Sequence, residues 1–134
     1  WQDGTEYTFT IEDRNSAAFI GTIAIRSTPD PKLWNLGYWT HPTQQRKGYM
    51  TEVVRAVIRL GFDLLGAETI EACTATWNIA SRKVLERAGL KEAGLIPKGF
   101  QKGGGWIPEY RLVIQRSGAA TGPVSQSWRW RARQ

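Results

Sequence analysis

HPTQQRKGYMTEVV, His41 to Val54, joins a turn-forming, basic, glycine-containing run directly to the start of an apolar-periodic helix. Pro42 stops the strand before it. From Gly48 to Leu65, the residues Met50, Val53, Val54, Val57, Leu60, Gly61, Leu64 and Leu65 fall on one stripe, with Glu52, Arg55, Arg59 and Asp63 opposite. The pattern predicts an amphipathic helix closed by Gly66. A helix N-terminus leaves backbone N–H groups unpaired and carries partial positive charge. Gln45, Arg46, Lys47 and Gly48 add two cations and a residue that lets the chain turn tightly against a guest, so a pyrophosphate is the expected ligand. The spacing is not that of a Walker loop, and GxGxxG is absent. Read alone, the run fits a solvated helix start equally well.

The flanking sequence supplies the context. YTFTIED, from Tyr7, and AAFIGTIAIR, from Ala17, alternate as two strands of a hairpin turned at Asn15 and Ser16. LWNLGYWT, Leu33 to Thr40, is a third, aromatic-rich strand. After the long helix, TIEACTAT reads as a strand and WNIASRKVLERAG as a shorter helix. Asn78 is its N-cap, Ser81 lies in its first turn, Gly89 ends it, and Val84, Leu85 and Ala88 face the sheet. LKEAGLIPKGF and WIPEYRLVIQR complete the set as two strands joined by QKGGG. The order β-β-β-α-β-α-β-β predicts an α+β fold, a mixed and mostly antiparallel sheet flanked by helices.

The chain of 134 residues is long enough for one domain with a real core. No apolar run approaches the roughly 20 residues that cross a bilayer, and WQDGTEY lacks a signal-peptide layout, so a cytoplasmic protein with no membrane partner is expected. Cys73 has no partner cysteine, and no metal site is expected. The net charge of +6 is concentrated late: no acidic residue follows Glu109, and Arg129, Arg131 and Arg133 lie in SWRWRARQ. We divide the chain into a domain over 1–116 and a flexible basic Trp/Arg tail over 117–134. The tail could stack on bases, but a frayed terminus is the preferred reading, and nucleic acid is not an expected partner.

GYWTHPTQQRKGYMTEVVRAV and NIASRKVLERAGLKEAG together resemble the GNAT superfamily of N-acetyltransferases, and most closely its RimJ/RimL-type branch, which acetylates α-amino groups of ribosomal proteins. The first stretch is similar to the acetyl-coenzyme A motif Gln/Arg-x-x-Gly-x-Gly/Ala. The second is similar to the family's Asn-x-x-Ser helix and following strand, and in strand order the likeness covers about residues 7 to 116. It implies an acetyl-CoA-dependent N-acetyltransferase in which an amine attacks the thioester directly. Backbone amides of Gln45, Arg46, Lys47, Gly48, Tyr49, Met50 and Thr51 would hold the pyrophosphate. Trp39, Thr40 and His41 would end a strand that splays from its neighbour and pairs with the pantetheine arm. Asn78 would orient the cofactor, and Ser81 would stand beside the thioester sulfur, although capping of the second helix explains both residue types equally.

Departures from the family pattern set further expectations. Met50 stands where glycine or alanine is usual and is expected to crowd the pyrophosphate. Arg46 replaces a small residue. Asn35 occupies the neighbourhood where relatives carry a glutamate base, and it cannot serve as one; His41 reads as a strand terminator rather than its substitute. Relatives usually carry a strand and two helices ahead of the hairpin, walling the acceptor pocket. This sequence starts at the hairpin, which is expected to leave a sheet edge open and to favour a homodimer. The acceptor is expected to be a protein amine first and a small amine second. The alternative is an acyl-CoA-binding or partner-binding module with little or no turnover.

Overall fold

The computed structural model describes residues 4–45, 47–118 and 128–132. Seven strands, β1 (Glu6–Asp13), β2 (Phe19–Ser27), β3 (Leu33–Thr40), β4 (Thr69–Ala75), β5 (Lys91–Lys102), β6 (Gly105–Gln115) and β7 (Trp128–Ala132), form one sheet in the order β5-β6-β4-β3-β2-β1-β7. Two helices, α1 (Tyr49–Leu64) and α2 (Ile79–Arg87), complete it. Neighbouring strands are antiparallel except β3 and β4, which are parallel and joined by α1. The expected α+β class and mostly antiparallel sheet are therefore observed, and β3 has the bounds the sequence predicts.

Alternation sorts the sheet into two faces. Ile11, Ile23, Ile25, Leu36, Ile70, Leu112 and Ile114 lie in the core with Val53, Val54, Val57, Ile58 and Phe62 of α1 and Leu85 of α2. The intervening positions on the other face are mostly polar: Thr8, Thr10, Thr22, Arg26, Asn35, Glu71 and Arg111. α1 ends at Leu65 and Gly66, and Ala67 N–H closes back onto the Gly61 carbonyl. Arg116, just past β6, donates to the carbonyls of Phe62 (2.5 Å) and Ala67 (2.8 Å), so it satisfies acceptors that the helix end leaves open.

The β1–β2 turn is organised by Asp13, whose carboxylate accepts from the backbone N–H of Asn15 (2.9 Å) and Ser16 (2.8 Å) and from the Tyr49 hydroxyl (2.9 Å). These bonds stabilise the charged form and hold the carboxyl down at about 2, with the Ser16 amide the leading cause. One side chain thereby fastens the hairpin to the first residue of α1.

The terminal segment departs from expectation. The flexible tail was to cover 117–134, yet Trp128–Ala132 is a strand paired antiparallel with Phe9–Asp13 of β1. Residues 119–127 and 133–134 lie outside the described residues. The physical reason is the period-2 alternation in WRWRA. Trp128 is 1% exposed, Trp130 stacks on Phe9 with ring centroids 5.0 Å apart, and Arg129 and Arg131 turn to the other face, where both pair with Glu12. Indoles buried in this way are not free to stack on bases. The β1 edge expected to be open is covered over the same stretch, which removes the edge argument for a homodimer.

Trp128→Ala should cost about 3–5 kcal/mol in urea unfolding, the usual penalty for removing a buried indole. Trp128→Phe should cost clearly less, because the Trp128 Nε1 is buried without a hydrogen-bond partner among the described residues. Asp13 supplies a second expectation. Its folded value lies below the ordinary one, so its contribution is complete above the ordinary aspartate range and is lost as pH falls from about 4 towards about 2. Asp13→Asn should lower the urea midpoint near neutrality, and the gap from wild type should close across that acid window.

Candidate functional site

The start of α1 is bare of side-chain acceptors among the described residues. Gly48 precedes the first helical residue at φ 79°, a left-handed conformation that side chains strain to adopt. Among the described residues no side chain caps the helix, and none accepts from the amides of its first turn. Lys47 Nζ reaches Gln44 Oε1 at 3.4 Å and Gln45 Nε2 reaches the Thr40 carbonyl at 3.4 Å, folding the loop back on the end of β3. Thr51 is half-buried in the first turn. Arg46 lies outside the described residues. Met50 corrects an expectation: its side chain is 4% exposed and belongs to the core cluster, so the thioether packs inward instead of crowding the loop.

Beside this loop the sheet opens. β3 and β4 pair only through Leu33↔Thr69, Trp34↔Ile70 and Asn35↔Glu71. Beyond that point β3 continues to Thr40 along β2, and β4 continues to Ala75 along β6. Each strand therefore turns an unpaired backbone edge towards the gap, and such groups seek hydrogen-bond partners. The gap lies at the carboxyl ends of two parallel strands, the usual place for a ligand crevice in such sheets. Gly21 sets its β3 side: a Cβ there would collide with the Trp39 carbonyl and come within 3.1 Å of Thr40 Cα. Trp39 is 51% exposed, with the His41 ring edge-on at 5.9 Å. His41 Nδ1 accepts from the Thr43 amide (3.2 Å) and contacts Thr43 Oγ1 (2.8 Å), capping the 3-10 turn Pro42–Gln44, in keeping with a strand terminator.

On the helical side, Tyr38 and Ser81 meet across the strands. The Tyr38 hydroxyl donates to the Ser81 carbonyl (2.9 Å) and shares a 2.8 Å contact with Ser81 Oγ. Burial pushes the phenol up to about 12, with the Ser81 bond opposing, so it stays a neutral donor. Asn78 Oδ1 accepts from the Ser81 amide at 3.1 Å and so caps α2, one of the two roles its sequence position suggests. Ser81 and Asn78 thus lie together, and the loop residues lie together at the other helix.

The polar face carries a chain that the sequence reading did not assemble. Arg26 binds Glu6 (2.9 Å) and Asn35 Oδ1 (2.9 Å); Asn35 Nδ2 donates to Glu71 (3.2 Å); Arg111 Nε donates to Glu71 (2.8 Å). Asn35 is thus occupied as a bridge. Glu71 and Cys73 alternate in TIEACTAT, which was the signal available for placing them on one face; Tyr38 was visible as the aromatic between Gly37 and Trp39. Among the described residues no group of three or more His, Cys, Asp or Glu comes together as a metal site.

Comparison with known proteins places these features in a family. The description that matches is an acetyltransferase (GNAT) domain, over residues 1–91. The chain is 33% identical over 111 residues to the probable N-acetyltransferase YjcK of Bacillus subtilis (strain 168), covering 81% of this chain and 61% of that protein. It spans about three fifths of the length of two of the curated relatives it matches, 61% and 62%, and 49% of a third. A Vibrio cholerae protein provisionally assigned as a ribosomal-protein-serine acetyltransferase superposes with a TM-score of 0.74 at 25% identity, over 82% of this chain and 64% of that one. Mutant forms of the spermidine/spermine N-acetyltransferase SpeG of Vibrio cholerae share the fold, with a TM-score of 0.75 at 21% identity over 87% of this chain and 70% of theirs. A bare helix start, a gap between parallel strands and a family match over most of the chain converge: this protein belongs to the GNAT acetyltransferase family.

Proposed function

We propose that this chain carries the donor half of an acetyl-CoA-dependent N-acetyltransferase of the RimJ/RimL kind, working in the cytoplasm on a primary amine. The observation that carries the reading is the uncapped α1 start beside the β3–β4 gap. Amides of Gln45 to Thr51 hold the pyrophosphate, and the edge of β3 that faces the gap, in the segment ending at Trp39, Thr40 and His41, pairs with pantetheine as an added strand. A neutral amine attacks the thioester carbonyl, a backbone N–H at the gap supports the oxyanion, and coenzyme A leaves as a thiolate. Ser81 serves that sulfur and Asn78 orients the cofactor, a reading supported by the bond of Ser81 to the neutral Tyr38 phenol and by the Asn78 cap on the Ser81 amide. A protein N-terminal amine is the first acceptor, in line with the ribosomal-protein acetyltransferase among the structural neighbours, and a small amine such as the spermidine of SpeG is the second.

A second reading is favoured by one observation. Asn35 is an amide locked between Arg26 and Glu71, which suits an acyl-CoA-binding module that does not turn over.

Calorimetry with acetyl-CoA should show saturable binding, and Gly48→Val should weaken it at least about tenfold, near 1.4 kcal/mol, by straining the φ 79° turn. No heat at millimolar acetyl-CoA would sink the donor-site reading. Ser81→Ala should lower kcat at least about tenfold with the acetyl-CoA KM unchanged. Unchanged turnover would assign the proton to water, and tight binding without thiol release across protein and small amines would favour the binding module.

A further inference from the structure

On the face of the sheet opposite the helices, most polar groups near the gap are engaged or unsuited to serve as a base. Asn35 is an amide, Glu71 is held by Arg111 and Asn35, and Cys73 is a thiol pushed up by burial and by Glu109 and Glu71. Glu109 is different. It lies on β6 opposite Ala75, the last residue of β4 and four residues past the point where β3 and β4 part. By alternation it shares a face with Arg111, Cys73 and Glu71. Among the described residues its carboxylate has no ion pair and no hydrogen bond.

The fold also makes a place for it. The β5–β6 register breaks between Ile96 and Phe100, and Gly99 in that bulge lies over the Glu109 side chain. A Cβ at Gly99 would come within 2.6 Å of Glu109 Oε1 and 2.8 Å of its Cβ, so glycine leaves the room the carboxylate uses. Lys98, beside it in the bulge, makes no ion pair with it.

Resting on the acetyltransferase reading, we propose that Glu109 is the proton acceptor for the incoming amine and restricts the acceptor to cationic primary amines. The ammonium gives one proton to the carboxylate, directly or through one water. The freed nitrogen lone pair forms the C–N bond as the thioester C–S bond breaks. The second nitrogen proton goes to the departing thiolate, and Glu109 returns its proton to solvent. Desolvation raises the carboxyl above the ordinary glutamate value, which makes it the stronger base. The titratable and charged groups on its face are Cys73 and Glu71 from β4 and Arg111 from its own strand, and Lys98 adjoins Gly99 in the β5 bulge.

The test uses the full chain with two probe acceptors, spermidine and a peptide beginning with serine. Acetyl-CoA affinity of wild type is measured first, since its absence condemns the parent reading and not this one. Glu109→Gln should leave that affinity unchanged, lower kcat about a hundredfold or more and abolish the acidic limb of the pH–rate profile, with Glu109→Asp recovering part of both. A Glu109→Gln enzyme within twofold of wild type that keeps its acidic limb overturns the proposal. If neither probe turns over, 13C NMR titration of the Glu109 carboxyl decides. A value above the ordinary glutamate range that moves when either probe is added supports the assignment, and an ordinary value or indifference to both probes overturns it.

Discussion

The rest of the structure depends on the brevity of the contact between β3 and β4. Three residue pairs join them, enough to keep the sheet continuous, and the strands then lean on different neighbours, β2 and β6. The divergence leaves two rows of backbone donors and acceptors that no strand satisfies, inside a sheet whose other interior neighbours are well paired. Unpaired backbone next to a core is costly unless water or a ligand meets it. An extended, amide-bearing ligand is the partner that such geometry favours, and the α1 amides lie at the end of the same crevice. In the reading proposed above, acetyl-CoA would bring both an extended pantetheine and a pyrophosphate, so one molecule would answer both sets of groups.

Keeping that gap open requires the strands to be held from outside it. On the helical side the Tyr38–Ser81 contact ties β3 to α2, and Arg55 ties α1 to α2 by donating to the Arg87 carbonyl at 2.7 Å. At the far edge β7 covers β1 and inserts Trp128 and Trp130 against the core. Burying an indole removes roughly 150–250 Å² from water, several kcal/mol at the usual 25 cal/mol/Å². That is far more than the exposed Arg129 and Arg131 pairs with Glu12 supply, since surface ion pairs contribute about 0–1 kcal/mol. The tryptophans hold β7 in place, and the arginines set which way its face turns.

Much of this was legible in the residues. Leu33–Thr40 read as a strand because it alternates and ends at a proline; α1 and α2 read as helices because their stripes are regular and their ends carry Gly66, Asn78 and Gly89. β7 was obscured because the glycine, serine and proline before it suggest looseness, and an alternation of Trp with Arg also fits a surface tail. Its pairing with β1, more than a hundred residues away, is a tertiary fact with no local signature. Met50 was misjudged for a related reason. A motif fixes a position, whereas the turn of the helix decides whether the side chain faces the ligand or the core. The Asn35–Glu71–Arg111 chain needs the strand order β6-β4-β3, which spacing along the sequence does not reveal.

The polar face shows why one carboxylate stands apart. Glu6, Arg26, Glu71 and Arg111 alternate in sign across five strands, with Asn35 bridging the middle, so each charge there has its complement. A neutralised network of this kind fixes orientation, because each carboxylate there is already hydrogen-bonded to an arginine. Glu109 lies one step beyond the last arginine, on the same face and nearer the open end of the gap, without a cation of its own among the described residues. Its neighbours therefore deny it the compensation they give Glu71. The charge it lacks is the one a protonated amine would bring, at the end of the sheet where the β3–β4 gap opens.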